Sequence, residues 1–143
     1  MSKLSETLKE YMLEQGYSET SLADATGILN TSISNFLLDV NLPSYDALVR
    51  LLYLFNCSAD YLLGLKDIPT EEPLHPVLPF GERLRALMKK HKVTQKKLKD
   101  EAKISTSVLY KWLSGKNNPS VESLIRLAEY FDCSVDFLIG RVR

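Results

Sequence analysis

The sequence predicts an all-α protein of two tandem five-helix domains joined by a Pro-rich linker, and three observations carry that expectation. First, residues 80–143 repeat residues 4–67 at a constant offset of 76, with no insertion or deletion and 19 identical positions of 64. The segments SYDALVRLLYLFNCSADYLLG (44–64) and SVESLIRLAEYFDCSVDFLIG (120–140) set the register, sharing Arg50/Arg126, Phe55/Phe131, Cys57/Cys133 and Gly64/Gly140. A fixed period decides what counts as a domain. Second, apolar residues recur at helical spacing, and no segment alternates with period two over the length of a strand. Third, four of the six prolines (Pro69, Pro73, Pro76, Pro79) fall between the copies. The expected boundaries are 1–66, a linker over 67–79, and 80–143.

The elements are clearest in the second copy. Leu84, Leu87 and Met88 form an i, i+3, i+4 stripe with Arg83, Arg85, Lys89 and Lys90 off that face, which predicts a first helix. Thr94 is a good N-cap for a second, with Leu98 and Ala102 turned inward. Ser105 caps a third through about Leu113, and Gly115 ends it by supplying a left-handed residue. Pro119-Ser120 opens a fourth, where Leu124, Leu127, Ala128 and Phe131 have core spacing; Ser134 caps a short fifth closed by Gly140. The linker prolines remove donors and fix φ, so that stretch is expected to be an extended spacer. Its roughly 14 residues at ~3.1 Å each could reach on the order of 40 Å.

The neutral net charge of the whole chain hides a split. Residues 4–67 hold three Lys or Arg against nine Asp or Glu, a formal −6; residues 80–143 hold fourteen against seven, a formal +7. A basic domain has the electrostatics for a nucleic-acid partner, and an acidic one forgoes them. Two Cys and two His are too few for a structural zinc site, and the equivalent cysteines fit small buried hydrophobes of a reducing compartment. No metal or cofactor is expected. His75 lies in the linker and His91 at a helix end; neither belongs to a nucleophile–base set, and no Gly-rich phosphate loop is present. An enzyme is not expected. The charged N-terminus lacks the apolar core of a secretory signal, and no apolar run approaches the ~20 residues that span a bilayer, so a cytoplasmic protein with no membrane partner is expected.

Residues 94–113 order a short helix, a tight turn and another short helix, the pattern of a helix-turn-helix. The string from Thr94-Gln95 through Ile104-Ser105, Lys111-Trp112 and Gly115-Lys116 to Pro119 resembles the lambda-repressor-like, Xre/Cro-type DNA-binding family. The resemblance covers both copies and is more specific in the second. It implies lambda-repressor-like helix-turn-helix domains, with residues 105–113 as a recognition helix laid in the major groove of double-stranded DNA. Thr106, Ser107, Tyr110 and Lys111, at i, i+1, i+4 and i+5, share one face opposite Val108, Leu109 and Trp112, at least two of which must pack inward. Their hydroxyls and ammonium can address base edges. Gln95 resembles the family's phosphate-touching glutamine, and Lys96, Lys97, Ser114, Lys116 and Asn117 are candidate phosphate contacts. Where the family usually has Gly in the turn, this copy has Lys103, at a cost of roughly 1 kcal/mol if the backbone is left-handed.

The first copy keeps that glycine as Gly27 but replaces the DNA-facing chemistry. Glu19 stands at the position of Gln95, Leu29 at Ser105, Asp39 at Gly115 and Val40 at Lys116, while the recognition face becomes Asn30, Thr31, Ser34 and Asn35. Leu29 is a poor N-cap, and Asn30 offers a start one residue later. A retained core without DNA-facing charge directs this domain to protein contact: self-association, a partner protein, or docking on the second domain. The sequence is thus read as a DNA-binding transcriptional regulator acting as a homodimer, with repression implied by the resemblance. The alternative is a protein-interaction module, antitoxin-like or anti-repressor.

Overall fold

The computed structural model describes residues 3–143 as ten helices, with no strand among the described residues. They form two compact units, Met1–Leu74 and His75–Arg143. The first contains α1 (Lys3–Gln15), α2 (Glu19–Thr26), α3 (Asn30–Leu37), α4 (Tyr45–Phe55) and α5 (Ala59–Leu62). The second repeats the order as α6 (Phe80–His91), α7 (Gln95–Glu101), α8 (Thr106–Leu113), α9 (Val121–Tyr130) and α10 (Val135–Leu138).

Helix starts follow from local hydrogen bonding. Thr94, Ser105, Ser120 and Ser134 each accept, through the side chain, the N–H three residues on: Lys97, Val108, Ser123 and Phe137. Ser18, Ser44 and Ser58 do the same in the first unit. Each such cap is worth about 1 kcal/mol. Among the described residues, two helices start without a side-chain cap: α6 after Pro79 and α3 after Leu29. Asn30 lies inside the helix and donates instead to the Thr20 hydroxyl at 3.3 Å, so the later start it offered is not taken.

In the second unit α6 packs on α8 and α10, α7 on α8, and α9 on α10. Leu84, Leu98, Leu109, Leu124, Leu127 and Leu138 are fully buried between them, with Trp112 and Phe131 at 4% exposure. Burying one such side chain contributes ~1.5–3 kcal/mol, so these helices, too short to persist alone, hold through the shared core. The first unit packs α1 on α3 and α5, and α2 on α3 and α4, around the equivalent Leu8, Leu22, Ile33, Leu48, Leu51 and Leu62 with Phe36 and Phe55. Neither cysteine is in a disulfide; Cys57 is buried and Cys133 half-buried.

The Pro-rich stretch contains no helix, but part of it is not a free spacer. The His75 N–H donates to the Arg141 carbonyl at 2.7 Å and the Leu78 N–H to the Ile139 carbonyl at 3.0 Å. The buried Arg141 returns a bond from Nη1 to the His75 carbonyl at 3.1 Å. Proline removes only its own donor, and it holds the residue before it extended; His75 and Leu78 both precede a proline. At the other end Lys3 pairs with Asp67 at 3.0 Å. Residues 68–74 lie between these two ties, and at ~3.1 Å per residue they span about 20 Å, half the reach the prolines alone suggest.

Candidate nucleic-acid interface

The second helix-turn-helix is α7, a turn through Lys103 and Ile104, and α8. Lys103 takes the left-handed conformation, φ 59°, that the aligned glycine of the first unit adopts at φ 76°. Ile104 is buried and its N–H returns to the Leu98 carbonyl at 3.2 Å, which fixes the angle between the helices. Leu109 and Trp112 anchor the inner side of α8, and Trp112 meets Phe80 edge to face at 6.0 Å. Val108 stays 40% exposed, so two of the three residues expected on the inner side pack there.

The far end of α8 is held by α6. A β-carbon at Gly81 would fall 2.5 Å from the Trp112 carbonyl oxygen, so only glycine permits this approach. Arg85 Nη2 donates to the Leu113 carbonyl at 3.2 Å, placing a cation where the helix dipole favours one. Neither residue stood out in the sequence as part of the site. The available signal was a glycine on the inward stripe of the first helix, one turn before Leu84.

The outer side of α8 carries the expected residues. Thr106, Ser107, Tyr110 and Lys111 are all exposed, Tyr110 by 68%. Gln95, Lys96 and Lys97 form the first turn of α7, also exposed. After α8, Ser114 donates to the Lys111 carbonyl, which also accepts the N–H groups of Lys116 and Asn117 at 2.9 and 3.2 Å. That pins the exposed Lys116 and Asn117 to the end of the helix. The first unit shows how near the two helices lie: Asn30 bonds Thr20, and Ser34 donates to the Glu19 carboxylate. By the repeat, these are the places of Thr106, Lys96, Tyr110 and Gln95. The first turn of α7 therefore borders the outer face of α8. On the other side of α7, Tyr130 donates to Glu101 at 3.1 Å, and desolvation, then that carboxylate, holds the phenol above its ordinary pKa.

The corresponding face of the first unit differs in kind. Asn30 and Ser34 bond to Thr20 and Glu19, and beside the exposed Thr31 the face shows solvent Leu29, Leu38 and Val40, exposed by 72%, 73% and 64%. Asp39 is left-handed at φ 63° between the last two.

Among the described residues no helix is long and apolar enough to cross a membrane, and no group of His, Cys, Asp and Glu could hold a metal ion. The helix-turn-helix family model HTH_3 matches residues 8–62 and 84–138. The HTH-type transcriptional regulator ImmR of Bacillus subtilis (strain 168) is 37% identical over 65 residues, 46% of this chain and 51% of that protein. The HTH-type transcriptional activator BcrR of Enterococcus faecalis is 32% identical over 63 residues, 44% of this chain and 31% of its own. The uncharacterized HTH-type transcriptional regulator YobD of Bacillus subtilis (strain 168) is 34% identical over 61 residues, 43% of this chain and 54% of its own. The chain thus matches about half, or less, of the length of these relatives. No solved structure matched. With its family model matched twice over most of its length, the chain belongs to the helix-turn-helix family HTH_3, in two tandem copies.

Proposed function

We propose that the protein is a non-enzymatic, cytoplasmic transcriptional regulator that reads double-stranded DNA with α8 and represses by occupying its operator. One observation carries this reading. The exposed side of a helix locked into the core by Leu109 and Trp112 presents Thr106, Ser107, Tyr110 and Lys111, within a domain of formal charge +7. The similarity to proteins named HTH-type transcriptional regulators supports it.

Two roles divide the face. Thr106, Ser107, Tyr110 and Lys111 contact base edges and set sequence preference. Gln95, Lys96, Lys97, Ser114, Lys116 and Asn117 contact phosphates and set register and most of the affinity. One such domain makes few base contacts, so a homodimer places two of them on half-sites ~34–36 Å apart.

Selection of bound duplexes from a random pool at physiological salt tests the reading. A two-fold symmetric consensus is expected. Replacing Gln95, Ser107 and Lys111 with Ala should abolish enrichment while leaving the helical signal intact. Enrichment that survives the triple variant would place the reading helix elsewhere, and no enrichment by the wild type would remove DNA as the partner.

A further inference from the structure

The first domain keeps the helix-turn-helix frame but presents a face unsuited to DNA. Ser34 and Asn30 spend their hydrogen bonds on Glu19 and Thr20, within the domain. Leu29, Leu38 and Val40 are left outward around one short helix, each more than 60% exposed. They occupy the positions of Ser105, Ser114 and Lys116 in the basic domain. Exposed aliphatics at both ends of this helix, where the basic domain has polar and charged residues, direct the face to protein contact. Glu19 and Asp39 would repel phosphates.

The chain itself contains a surface of matching chemistry. In the second unit Tyr110, 68% exposed, lies on the outer face of α8 next to Lys111, and Lys116 follows the helix. A basic face around an exposed tyrosine complements an aliphatic face beside acidic residues, and the formal charges are +7 and −6. We propose that, in the absence of DNA, the α3 face of the acidic domain docks on the α8 face of the basic domain of a second copy of this chain. Two reciprocal contacts close a two-fold dimer with no open end. Docking covers the side chains assigned above to DNA, so operator and acidic domain compete for α8. The competition rests on that assignment; the docking itself does not.

Sedimentation velocity on the full chain tests the contact, comparing wild type with Leu38→Ser/Val40→Ser and with Lys111→Glu/Lys116→Glu at ~50 and ~500 mM salt. All four positions are exposed, and the helical signal checks that each variant folds. The wild type should dimerise at low salt and dissociate at high salt, and each variant should weaken the dimer at least tenfold. A wild type that stays monomeric at low salt overturns the proposal. So does a dimer that survives Lys111→Glu/Lys116→Glu, because the acidic faces would then be pairing with each other. Duplex binding is the separate arm: Leu38→Ser/Val40→Ser adds no charge and should bind several-fold tighter than wild type. If it binds no tighter although its dimer is lost, α8 was not covered. If no form binds any duplex, the DNA assignment fails while sedimentation still decides the docking.

Discussion

Gly81 of α6 abuts the main chain at the end of α8: a β-carbon there would lie 2.5 Å from the Trp112 carbonyl oxygen and 3.0 Å from that of Leu113. The obstacle is backbone, which cannot swing aside as a side chain can. The reading helix is therefore set by the absence of a side chain two residues into α6. The first domain has Ser5 at this place, fully buried, so the two copies solve the same junction differently.

Gly81→Ala should accordingly destabilise the second domain by about 1–3 kcal/mol, the usual cost of overpacking. Trp112 is the chain's single tryptophan, so its fluorescence during urea unfolding follows this domain alone. The displaced α8 should also bind operator more weakly than the wild type at a urea concentration where both are folded. An unchanged fluorescence midpoint would show that α6 yields without cost.

The turn before α8 offers the opposite sign. Lys103 sits at φ 59°, and in the first domain the equivalent Gly27 leaves room for Arg50, whose Nη1 donates to the Thr26 carbonyl at 2.8 Å. A β-carbon on Gly27 would lie 2.7 Å from that nitrogen. In the second domain the equivalent Arg126 is exposed and lines an open groove with Lys103 and Tyr130. Lys103→Gly should stabilise the second domain by about 1 kcal/mol by relieving the left-handed side chain. It should also weaken DNA binding at low salt through the lost charge. Urea midpoint and duplex affinity should thus move in opposite directions.

Salt dependence separates the two classes of contact. With roughly 4–6 phosphates neutralised per basic domain, log K against log salt should fall with a slope of about −4 to −5. Lys116→Ala should make that slope shallower by about 0.9 and weaken all sequences alike. Ser107→Ala should leave the slope unchanged and cost ~1–3 kcal/mol of discrimination at the base it contacts. The same slope for both variants would dissolve the distinction.

What the sequence made legible was what local chemistry determines. The caps Thr94, Ser105, Ser120 and Ser134 were readable because a hydroxyl reaches a backbone N–H only three residues away. The inward sides of α8 and α9 followed from spacing, and the place of Lys103 from aligning it with Gly27. Distant pairings were not readable. Nothing near His75 announces Arg141, 66 residues later, and the prolines beside it suggested only a spacer. Gly81 was ambiguous for the same reason, since the carbonyl it admits belongs to another helix. In the first domain the substitutions Leu29 and Val40 were visible, but that Asn30 and Ser34 turn to α2 depends on another helix.

Leu29 joins two properties that normally conflict, and separating them tests what the acidic domain is for. As an N-cap it makes no side-chain hydrogen bond to α3, while the equivalent Ser105 accepts the Val108 N–H at 3.3 Å. Leu29→Ser should therefore stabilise the first domain by about 0.5–2 kcal/mol, read as slower amide exchange in α3. Its side chain is 72% exposed, so little burial is lost to offset the new cap. If the face had only lost its DNA chemistry, the variant would gain stability and change nothing else. A face kept for docking predicts a second effect: the chain gains stability in α3 while its low-salt self-association weakens. A domain that becomes more stable and less sociable through one exposed residue has been holding that leucine for contact.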